Sequence, residues 1–346
     1  LEWSGHDVTR EFYVNDAGNQ INKFGASLSV RYMQLFEGED KHPLPEDCYQ
    51  GMDIRDHARE FAKLYGDKYV NAPEEERRKA LVDYALPLNI AALERDLGRY
   101  RIHYDVWFRE SVLHREGKVT AICEKLKENG WAYEKEGALW YNNIKMMIEK
   151  AEKAGKPLSE AEIAELKDDV LVRANGVPTY FAADIAYHYN KFAERGFHRV
   201  INIWGADHHG HVARLKGAMD AVGLDGNKLD IVLMQLVRLM KDGQPYRMSK
   251  RSGRAVTLTD LLDDVPIDAA RFFFNMREPN ATFDFDLDLA VQQSSDNPVY
   301  YVQYAHARIC SVLKLVLAEG MTEEDILHAD LGLLTTPEER ELCRRL

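Results

Sequence analysis

The second half of the chain alternates apolar runs with amphipathic segments. Apolar strands are predicted at 170–176, 199–205 and 229–236, with helices at 179–195 and 211–222 between them. One face of the second helix is apolar and consists of Val212, Leu215, Met219 and Val222. Strands that alternate with helices are typical of a parallel sheet, so this pattern predicts an α/β fold with a Rossmann-like, doubly wound sheet.

The first half of the chain predicts one strand followed by mainly helical segments. The strand at 11–16 ends in a turn at Asn15-Asp16-Ala17-Gly18 and leads to a helix at about 19–36. We expect insertions in the domain at about 37–169, with helices at 56–69, 73–101 and 119–130, a hairpin around Glu136-Gly137 and an exposed helical excursion at 145–169. Pro87 is expected to break or kink the second of these helices.

The C-terminal part of the chain predicts a second domain. Thr257 and Asp260 have the spacing of a helix capping box, and FDFDLDLA alternates as a short strand. Asn297-Pro298 begins a long helix with an apolar stripe. We therefore place a boundary at about 290, so that 1–290 is the α/β domain and 291–346 is the incomplete start of an all-α domain.

Composition predicts a globular protein without a membrane partner. The 346 residues are 45% hydrophobic and 29% charged, and they contain no apolar run long enough for a transmembrane helix. No Cys-x-x-Cys pair occurs, which disfavours a disulfide framework or a structural metal and favours a reducing, cytoplasmic location; the cysteines are Cys48, Cys123, Cys310 and Cys343.

Charge is unevenly distributed along the chain. The net charge of −12 disfavours a general nucleic-acid-binding protein. The segment 238–254, however, carries six Lys and Arg side chains against one acid, Asp242. A concentrated basic loop in an acidic protein indicates a local phosphate site, although a solvated surface loop has the same charge.

The segment WGADHHGH, residues 204–211, combines three histidines with an aspartate where a strand ends and a helix begins. In an open α/β sheet this edge binds ligands, and a helix N-terminus there attracts anions. A zinc site built on His208, His209 and His211 is an alternative, but adjacent histidines seldom converge on one ion and no cysteine lies near. Histidines that only cap the helix are the structural alternative.

The basic loop contains Arg247-Met248-Ser249-Lys250-Arg251-Ser252 after a hairpin turned by Asp242-Gly243. This loop resembles the Lys-Met-Ser-Lys-Ser loop of class I aminoacyl-tRNA synthetases, with Arg in place of the first Lys and Arg251 inserted before Ser252. A lysine on such a loop can stabilise the charge that builds on departing pyrophosphate in the transition state.

Further segments narrow the resemblance to the arginyl-tRNA synthetase family, and they span nearly the whole chain: YVNDAGNQ, YDVWFRES, PTYFAADIAYH and WGADHHGH. Membership implies formation of arginyl-adenylate from arginine and ATP with Mg²⁺, and then transfer of arginine to the terminal ribose of tRNA(Arg). The implied partners are arginine, ATP and tRNA(Arg), the implied activation step needs tRNA, and we expect a monomer.

The resemblance also implies residue roles. Tyr180 and Asp184 are expected to contact arginine, because a carboxylate matches a planar guanidinium, and Asp207 is expected to accept from the substrate ammonium or a ribose hydroxyl. Asp184 could instead stabilise its own helix. Catalytic roles fall to Lys250, Ser249, Met248 and Arg247. The adenylate-binding set is Gly205, Asp207, His208, His211, Met248 and Lys250. His208 has no defined role within that set, His209 has none, and Asn15 and Asp16 are expected to shape the pocket wall.

Two parts of the family pattern are expected outside this chain. The His-Ile-Gly-His-type motif should lie upstream of Trp3, and most of the α-helical anticodon-binding domain should lie beyond Leu346, so we expect the chain alone to be inactive or weakly active. Three alternatives remain open: another adenylate-forming ligase of this fold that does not act on tRNA, a zinc hydrolase, and a tRNA-binding fragment without catalysis.

Overall fold

The computed structural model describes residues 1–246 and 256–345. The chain forms two compact units: Leu1–Val237 with Glu278–Phe283, and Arg238–Arg277 with Asp284–Leu346. The sequence-predicted boundary near 290 refers to an anticodon-binding domain, and it stays a prediction.

The strands of the first unit form parallel and antiparallel sheets. In chain order they are β1 (Glu11–Val14), β2 (Val106–Arg109), β3 (Ala132–Lys135), β4 (Ala138–Tyr141), β5 (Asp169–Val172), β6 (Val200–Gly205) and β7 (Leu229–Met234). β1 pairs in parallel with β2, and β6 pairs in parallel with β7. β3, β4 and β5 form a separate antiparallel sheet.

The antiparallel pairing of β5 corrects one sequence-based interpretation. The sequence pattern places the strand at 170–176 in the parallel strand–helix series, but Trp140 of β4 lies opposite Val170 in an antiparallel register. The β3–β4 hairpin, turned by Glu136 and Gly137 at φ values of 53° and 74°, presents the edge to which β5 adds. A short apolar run predicts burial but not the direction of the neighbouring strand, which explains the error.

The helices of the first unit surround these sheets. They are α1 (Gly18–Glu37), α2 (Met52–Tyr65), α3 (Glu74–Arg99), α4 (Glu110–Arg115), α5 (Lys118–Glu128), α6 (Asn143–Lys153), α7 (Glu160–Glu165), α8 (Tyr180–Tyr189) and α9 (His209–Ala221). One π-helical turn, Asn190–Glu194, continues α8. The predicted helices at 19–36, 119–130 and 211–222 are confirmed with small shifts at their ends.

Two predictions in the insertion region are wrong, and a third is wrong in part. α2 lies at Met52–Tyr65 rather than 56–69, because Gly66, at φ 59°, ends it. Pro87 does not break α3, which continues through this exposed position; the expected kink stays a prediction. The excursion at 145–169 is two helices, and the first is not an exposed appendage: a Cβ on Gly217 of α9 would lie 3.0 Å from Met146 of α6.

The buried apolar residues of the first unit form two clusters. The first cluster joins α5, α8 and α9 to the strands and includes Leu126, Ile185, Leu215, Met219 and Leu229. The second lies among the helices α1, α2 and α3 and includes Leu28, Tyr32, Ile54, Phe61 and Leu81. The parallel strands are therefore supported by α8 and α9, while the insertion helices pack on a core of their own.

The second unit is mainly helical. Its strands are β8 (Val237–Lys241), β9 (Gln244–Pro245) and β10 (Phe283–Asp286), arranged in the order β10-β8-β9. Its helices are α10 (Leu258–Asp264), α11 (Ile267–Asn275), α12 (Leu287–Val291), α13 (Pro298–Ala318), α14 (Glu323–Leu327) and α15 (Pro337–Arg345). The predicted capping box at Thr257 and Asp260 and the predicted start of the long helix, where Asn297 accepts from the Val299 N–H at 3.1 Å, are confirmed. Within the described residues, no helix has the length and apolarity needed to cross a membrane.

The turn after α9 allows no side chain at Gly226. The Gly226 N–H donates to Asp220 Oδ1 at 2.7 Å, and an added Cβ would overlap the Lys216 carbonyl oxygen. We expect Gly226→Ala to lower the free energy of unfolding by about 1–3 kcal/mol, as other overpacked sites do. Urea denaturation of the full-length protein measures this. Gly210→Ala in the same helix is the control, because its Cβ would meet no atom within 4 Å; equal midpoints for the two variants would contradict the prediction.

Candidate active site

Asp184 lies on the first turns of α8, close to the carboxyl ends of the parallel strands. Thr179 anchors the start of this helix to β5, donating through its hydroxyl to the Val170 carbonyl oxygen at 2.6 Å. Tyr180 lies one turn before Asp184 on the same face and is 52% exposed. A Cβ on Gly18 would lie 3.9 Å from the Tyr180 hydroxyl oxygen. The structure thus brings the turn after β1 beside Tyr180.

Asp184 is joined to His211 of α9. Asp184 Oδ2 lies 2.9 Å from His211 Nε2, and the other ring nitrogen, Nδ1, lies 3.4 Å from Arg214 Nη2. Because Arg214 can only donate, Nδ1 accepts and Nε2 carries the proton that it donates to the carboxylate. The interpretation of Asp184 as an acid that serves only its own helix is therefore not supported, since its side chain bonds a second helix.

A further ion pair continues this contact into the antiparallel sheet. Arg214 Nη1 bonds the carboxylate of Asp169 at the start of β5. Burial raises the pKa of Asp169, and Arg214 opposes that shift. The His211 ring also packs against Phe181 and Trp204, with centroid distances of 5.4 and 5.6 Å. Together these contacts leave His211 little freedom to rotate away from Asp184.

The turn at the end of β6 is open. A Cβ on Gly205 would lie 2.5 Å from Asp207 Oδ1, so the glycine permits the observed side-chain position. The Asp207 side chain is 82% exposed, and that of His208 is also exposed. Asp207 and His208 therefore project into solvent from the carboxyl end of a parallel strand, where a ligand of an α/β sheet binds.

Glu110 is a further acidic residue of this region, and the sequence analysis did not identify it. It follows β2 directly, is only 4% exposed, and its Oε2 lies 2.9 Å from the Asn15 side-chain amide, whose nitrogen is assigned to this side because the amide oxygen would face only acceptors here. Burial raises the pKa of Glu110, while hydrogen bonds from Tyr13 and His114 lower it. The available signal was its place in the family segment YDVWFRES, shortly after the apolar residues Val106-Trp107-Phe108.

Asp16 holds the two strand ends together. Its carboxylate accepts from the Ser111 N–H and from the Ser111 hydroxyl, both at 2.8 Å. Asn15 and Asp16 thus connect the turn after β1 to the start of α4, an arrangement that suits residues of a pocket wall.

The histidines of the 204–211 segment do not converge. His208 packs against Trp204 at a centroid distance of 5.8 Å, whereas His211 faces Asp184. In residues 1–246 and 256–345, no group of three or more His, Cys, Asp or Glu side chains has an arrangement that could hold a metal ion.

Comparison with known proteins places these residues in a family. Residues 1–309 match the family model described as tRNA synthetases class I (R), catalytic domain. The arginine–tRNA ligase of Caldanaerobacter subterraneus subsp. tengcongensis is 56% identical over all 346 residues, and that of Ruminiclostridium cellulolyticum is 53% identical over the same span. The chain belongs to the arginyl-tRNA synthetase family. It covers 58% of the length of both relatives.

Solved structures agree with this membership. A crystal structure described as an arginyl-tRNA synthetase from Campylobacter jejuni is 34% identical, with a TM-score of 0.78, and the match covers 94% of this chain and 66% of that one. The arginyl-tRNA synthetase of Thermus thermophilus shares the fold, with a TM-score of 0.66 at 21% identity over 99% of this chain and 62% of that one. The predicted fold class is confirmed.

The family's lysine loop falls outside the described residues. Arg247, Met248, Ser249 and Lys250 all belong to the undescribed segment 247–255. The hairpin before it is confirmed: Asp242 and Gly243 turn β8 into β9 with φ values of 52° and 68°. The roles expected for the loop therefore stay predictions.

A buried ionic cluster lies beneath the site. Glu11 of β1 accepts from Arg195 Nη1 at 2.6 Å and from the Tyr187 hydroxyl, and Lys191 Nζ lies 3.8 Å from Glu11 Oε1. Burial lowers the pKa of Lys191 to about 8. Tyr187 packs against Tyr13 with centroids 4.7 Å apart. Since the π-helical turn supplies Lys191 and precedes Arg195, it provides the countercharge for Glu11.

His188 is buried directly behind Asp184. Its Nδ1 lies 2.7 Å from the Asp184 carbonyl oxygen, and its Nε2 lies 2.6 Å from Asn202 Nδ2 on β6. Burial, reinforced by Lys191, lowers the pKa of His188 to about 4. The ring is therefore neutral at neutral pH.

The depressed pKa of His188 makes folding sensitive to acid. The unfolded chain takes up a proton near pH 6.5, whereas the folded chain does so only near pH 4, so stability is lost as pH falls through this window. At pH 5 the loss relative to pH 7 is about 2 kcal/mol. We expect His188→Gln to reduce the difference in unfolding free energy between pH 7 and pH 5 by about that amount. His198→Gln, at an exposed histidine, is the control; the same reduction in both variants would argue against His188.

Proposed function

We propose that the protein containing this chain is an arginine–tRNA ligase. It would form arginyl-adenylate from arginine and MgATP, release pyrophosphate, and transfer arginine to the 3′-terminal ribose of tRNA(Arg). The observation that carries the proposal is Asp184, a carboxylate that His211 holds at 2.9 Å in a chain of this family. It lies beside the turn of Gly205, Asp207 and His208 at the end of β6, which we call the adenylate turn. The named relatives that align with the whole chain are arginine–tRNA ligases.

Charge and geometry favour arginine as the amino acid. A guanidinium presents a rigid fork of N–H donors, and a carboxylate is its matching acceptor. In this proposal the Asp184 carboxylate accepts hydrogen bonds from the guanidinium, while His211 holds one of the two carboxylate oxygens. Tyr180, one turn earlier on α8, lies beside the bound arginine. Glu110 adds a second buried carboxylate near Tyr13, whose pKa is raised by burial and by both Glu110 and Asp184. Two carboxylates near one tyrosine create a site that favours a cation.

The adenylate turn and the lysine loop supply the rest of the chemistry. Asp207 would accept from the substrate ammonium or a ribose hydroxyl, and Gly205, His208 and His211 would line the adenylate. The arginine carboxylate attacks the α-phosphorus of ATP, the bond to the β-phosphate oxygen breaks, and pyrophosphate leaves with the charge. Lys250, with Ser249, Met248 and Arg247, would stabilise that charge. No general base is needed, because the nucleophile is already ionised.

Several parts of the proposal concern the whole protein rather than this chain. Mg²⁺ as the ATP counterion, tRNA(Arg) as the second substrate, a monomeric state and a cytoplasmic location all remain predictions. An adenylate-forming ligase that does not use tRNA is not favoured, since both aligned relatives are tRNA ligases.

Replacing Asp184 tests the arginine site. In ATP–pyrophosphate exchange by the full-length protein with tRNA present, we expect Asp184→Asn to raise the KM for arginine about 100-fold or more, because a charge-assisted pair to a guanidinium is lost. Asp207→Asn is the matched comparison and should act on the KM for ATP as well. Exchange that depends on another amino acid, or an unchanged arginine KM in Asp184→Asn, would contradict the proposal.

Replacing Lys250 tests the transition-state role of the loop. We expect Lys250→Ala to lower kcat for exchange about 100- to 1000-fold with little change in the KM for arginine, since the charge it meets develops only in the transition state. Arg254→Ala, at a neighbouring cation of the same segment, serves as the control for general charge loss. A loss of arginine affinity without a loss of kcat in Lys250→Ala would overturn this assignment.

A further inference from the structure

Asn202 is a polar residue at a core position of β6. Residues alternate along this strand, so that Val200 and Asn202 face inward while Ile201 and Ile203 are exposed. Burying an amide costs free energy unless its hydrogen bonds are satisfied. The bond from Asn202 to His188, between two side chains that are each less than 10% exposed, meets that requirement.

The two partners of His188 together fix which nitrogen carries the proton. Because the Asp184 carbonyl oxygen can only accept, Nδ1 bears the hydrogen, and Nε2 accepts from the Asn202 amide N–H. Nδ1–H then donates to the Asp184 carbonyl oxygen at 2.7 Å. Asn202 on β6 is therefore linked, through the His188 ring, to the backbone carbonyl of Asp184, the residue proposed to bind arginine.

Asp184 is consequently held at two points, by the strand β6 and by the helix α9 that follows it. Its backbone is tied to β6 through His188 and Asn202, and its side chain is tied to α9 through His211. β6 runs directly into the adenylate turn and then into α9. Both hydrogen bonds fix the position of Asp184 relative to that turn, where arginine and ATP must meet in the proposed reaction.

Stability alone is a poor explanation for this buried pair. Two apolar side chains of similar volume would pack here without the cost of removing an amide and an imidazole from water. A hydrogen-bonded pair, in contrast, fixes both the height and the rotation of α8, because it has directional bonds.

We propose that His188 and Asn202 are positioning residues for arginine binding, which set Asp184 at the height and angle needed to meet the guanidinium. This proposal rests on the proposed function. Neither residue touches the substrate; they act through Asp184.

The double variant His188→Leu/Asn202→Leu separates positioning from stability. In the full-length protein we expect its urea midpoint to stay close to that of the wild type, while the KM for arginine in tRNA-dependent exchange rises about 10-fold. The KM for ATP and kcat at saturating arginine should change less than about 2-fold, because a displaced Asp184 weakens the binding of one substrate only.

A second His–Asn pair, which is partly buried, provides the control. His57 Nε2 lies 2.7 Å from Asn89 Oδ1, between α2 and α3 and within the insertion. His57→Leu/Asn89→Leu makes the same chemical change away from Asp184. It should leave the KM for arginine at the wild-type value.

Two single variants keep the test decisive if the double variant does not fold. His188→Asn places an amide N–H near the Nδ1 position, from which it can donate to the Asp184 carbonyl, and should keep the arginine KM within about 3-fold of the wild type. Asn202→Thr suits a strand but is too short to reach Nε2, and it should raise that KM about 5-fold or more.

The outcomes distinguish the two proposals. An unchanged arginine KM in both the double leucine variant and Asn202→Thr would overturn the positioning role, as would equal increases in the KM for arginine and for ATP. Absence of arginine-dependent exchange in the wild-type protein would instead overturn the proposed function itself.

Discussion

The bond between Asp184 and His211 joins the two helices that flank β6. α8 and α9 both pack on the core that covers the parallel strands, and they share residues such as Ile185 and Leu215 in that core. Apolar packing keeps the helices together but permits small sliding and rotation, whereas a hydrogen bond of 2.9 Å between two side chains does not. The bonds of His211 to Arg214 and of Arg214 to Asp169 extend from this contact, while His188 holds Asp184 separately through its backbone carbonyl. Without the bond to His211, the Asp184 side chain would lose its link to α9.

The carboxylates around the site differ in whether a cationic side chain neutralises them. Glu11 lies in the same region as Glu110 and Asp184, but Arg195 and Lys191 compensate its charge. Glu110 and Asp184 bond mainly neutral or weakly basic partners, namely Tyr13, Asn15 and the histidines. A cationic substrate would supply the countercharge that these two lack, which makes ligand binding favourable where an empty site is electrostatically costly.

The sequence predicted those turns and helix starts that depend only on neighbouring residues. The turn at Glu136-Gly137, the capping box at Thr257 and Asp260, and the start of α13 at Asn297 follow from the chemistry of neighbouring residues, and the structure confirms them. The parallel strand β6 and the helix α9 follow from periodicity in the same way. The roles in the lysine loop came from family resemblance, because a basic loop alone fits many phosphate sites.

Contacts between distant residues were not predictable from those signals. His188 and Asn202 are 14 positions apart, Asp184 and His211 are 27 apart, and Asp16 and Ser111 are 95 apart. Periodicity states which face of an element is buried but not which polar side chains meet across that face. For the same reason the direction of β5 was wrong and Glu110 was missed. Asn202 at an inward position of an apolar strand was a local anomaly that pointed to a buried partner.

The helical insertion also shapes how this chain can reach its folded state. β1 ends at Val14 and its parallel partner β2 begins at Val106, so the pair closes over everything between them. Closing so long a flexible loop is entropically unfavourable. The core of α1, α2 and α3, however, draws on residues between Phe24 and Ala85 alone and can collapse through contacts that are near in sequence. A compact body between the two strand ends lowers the entropic cost of pairing them below that of closing a loose chain of the same length.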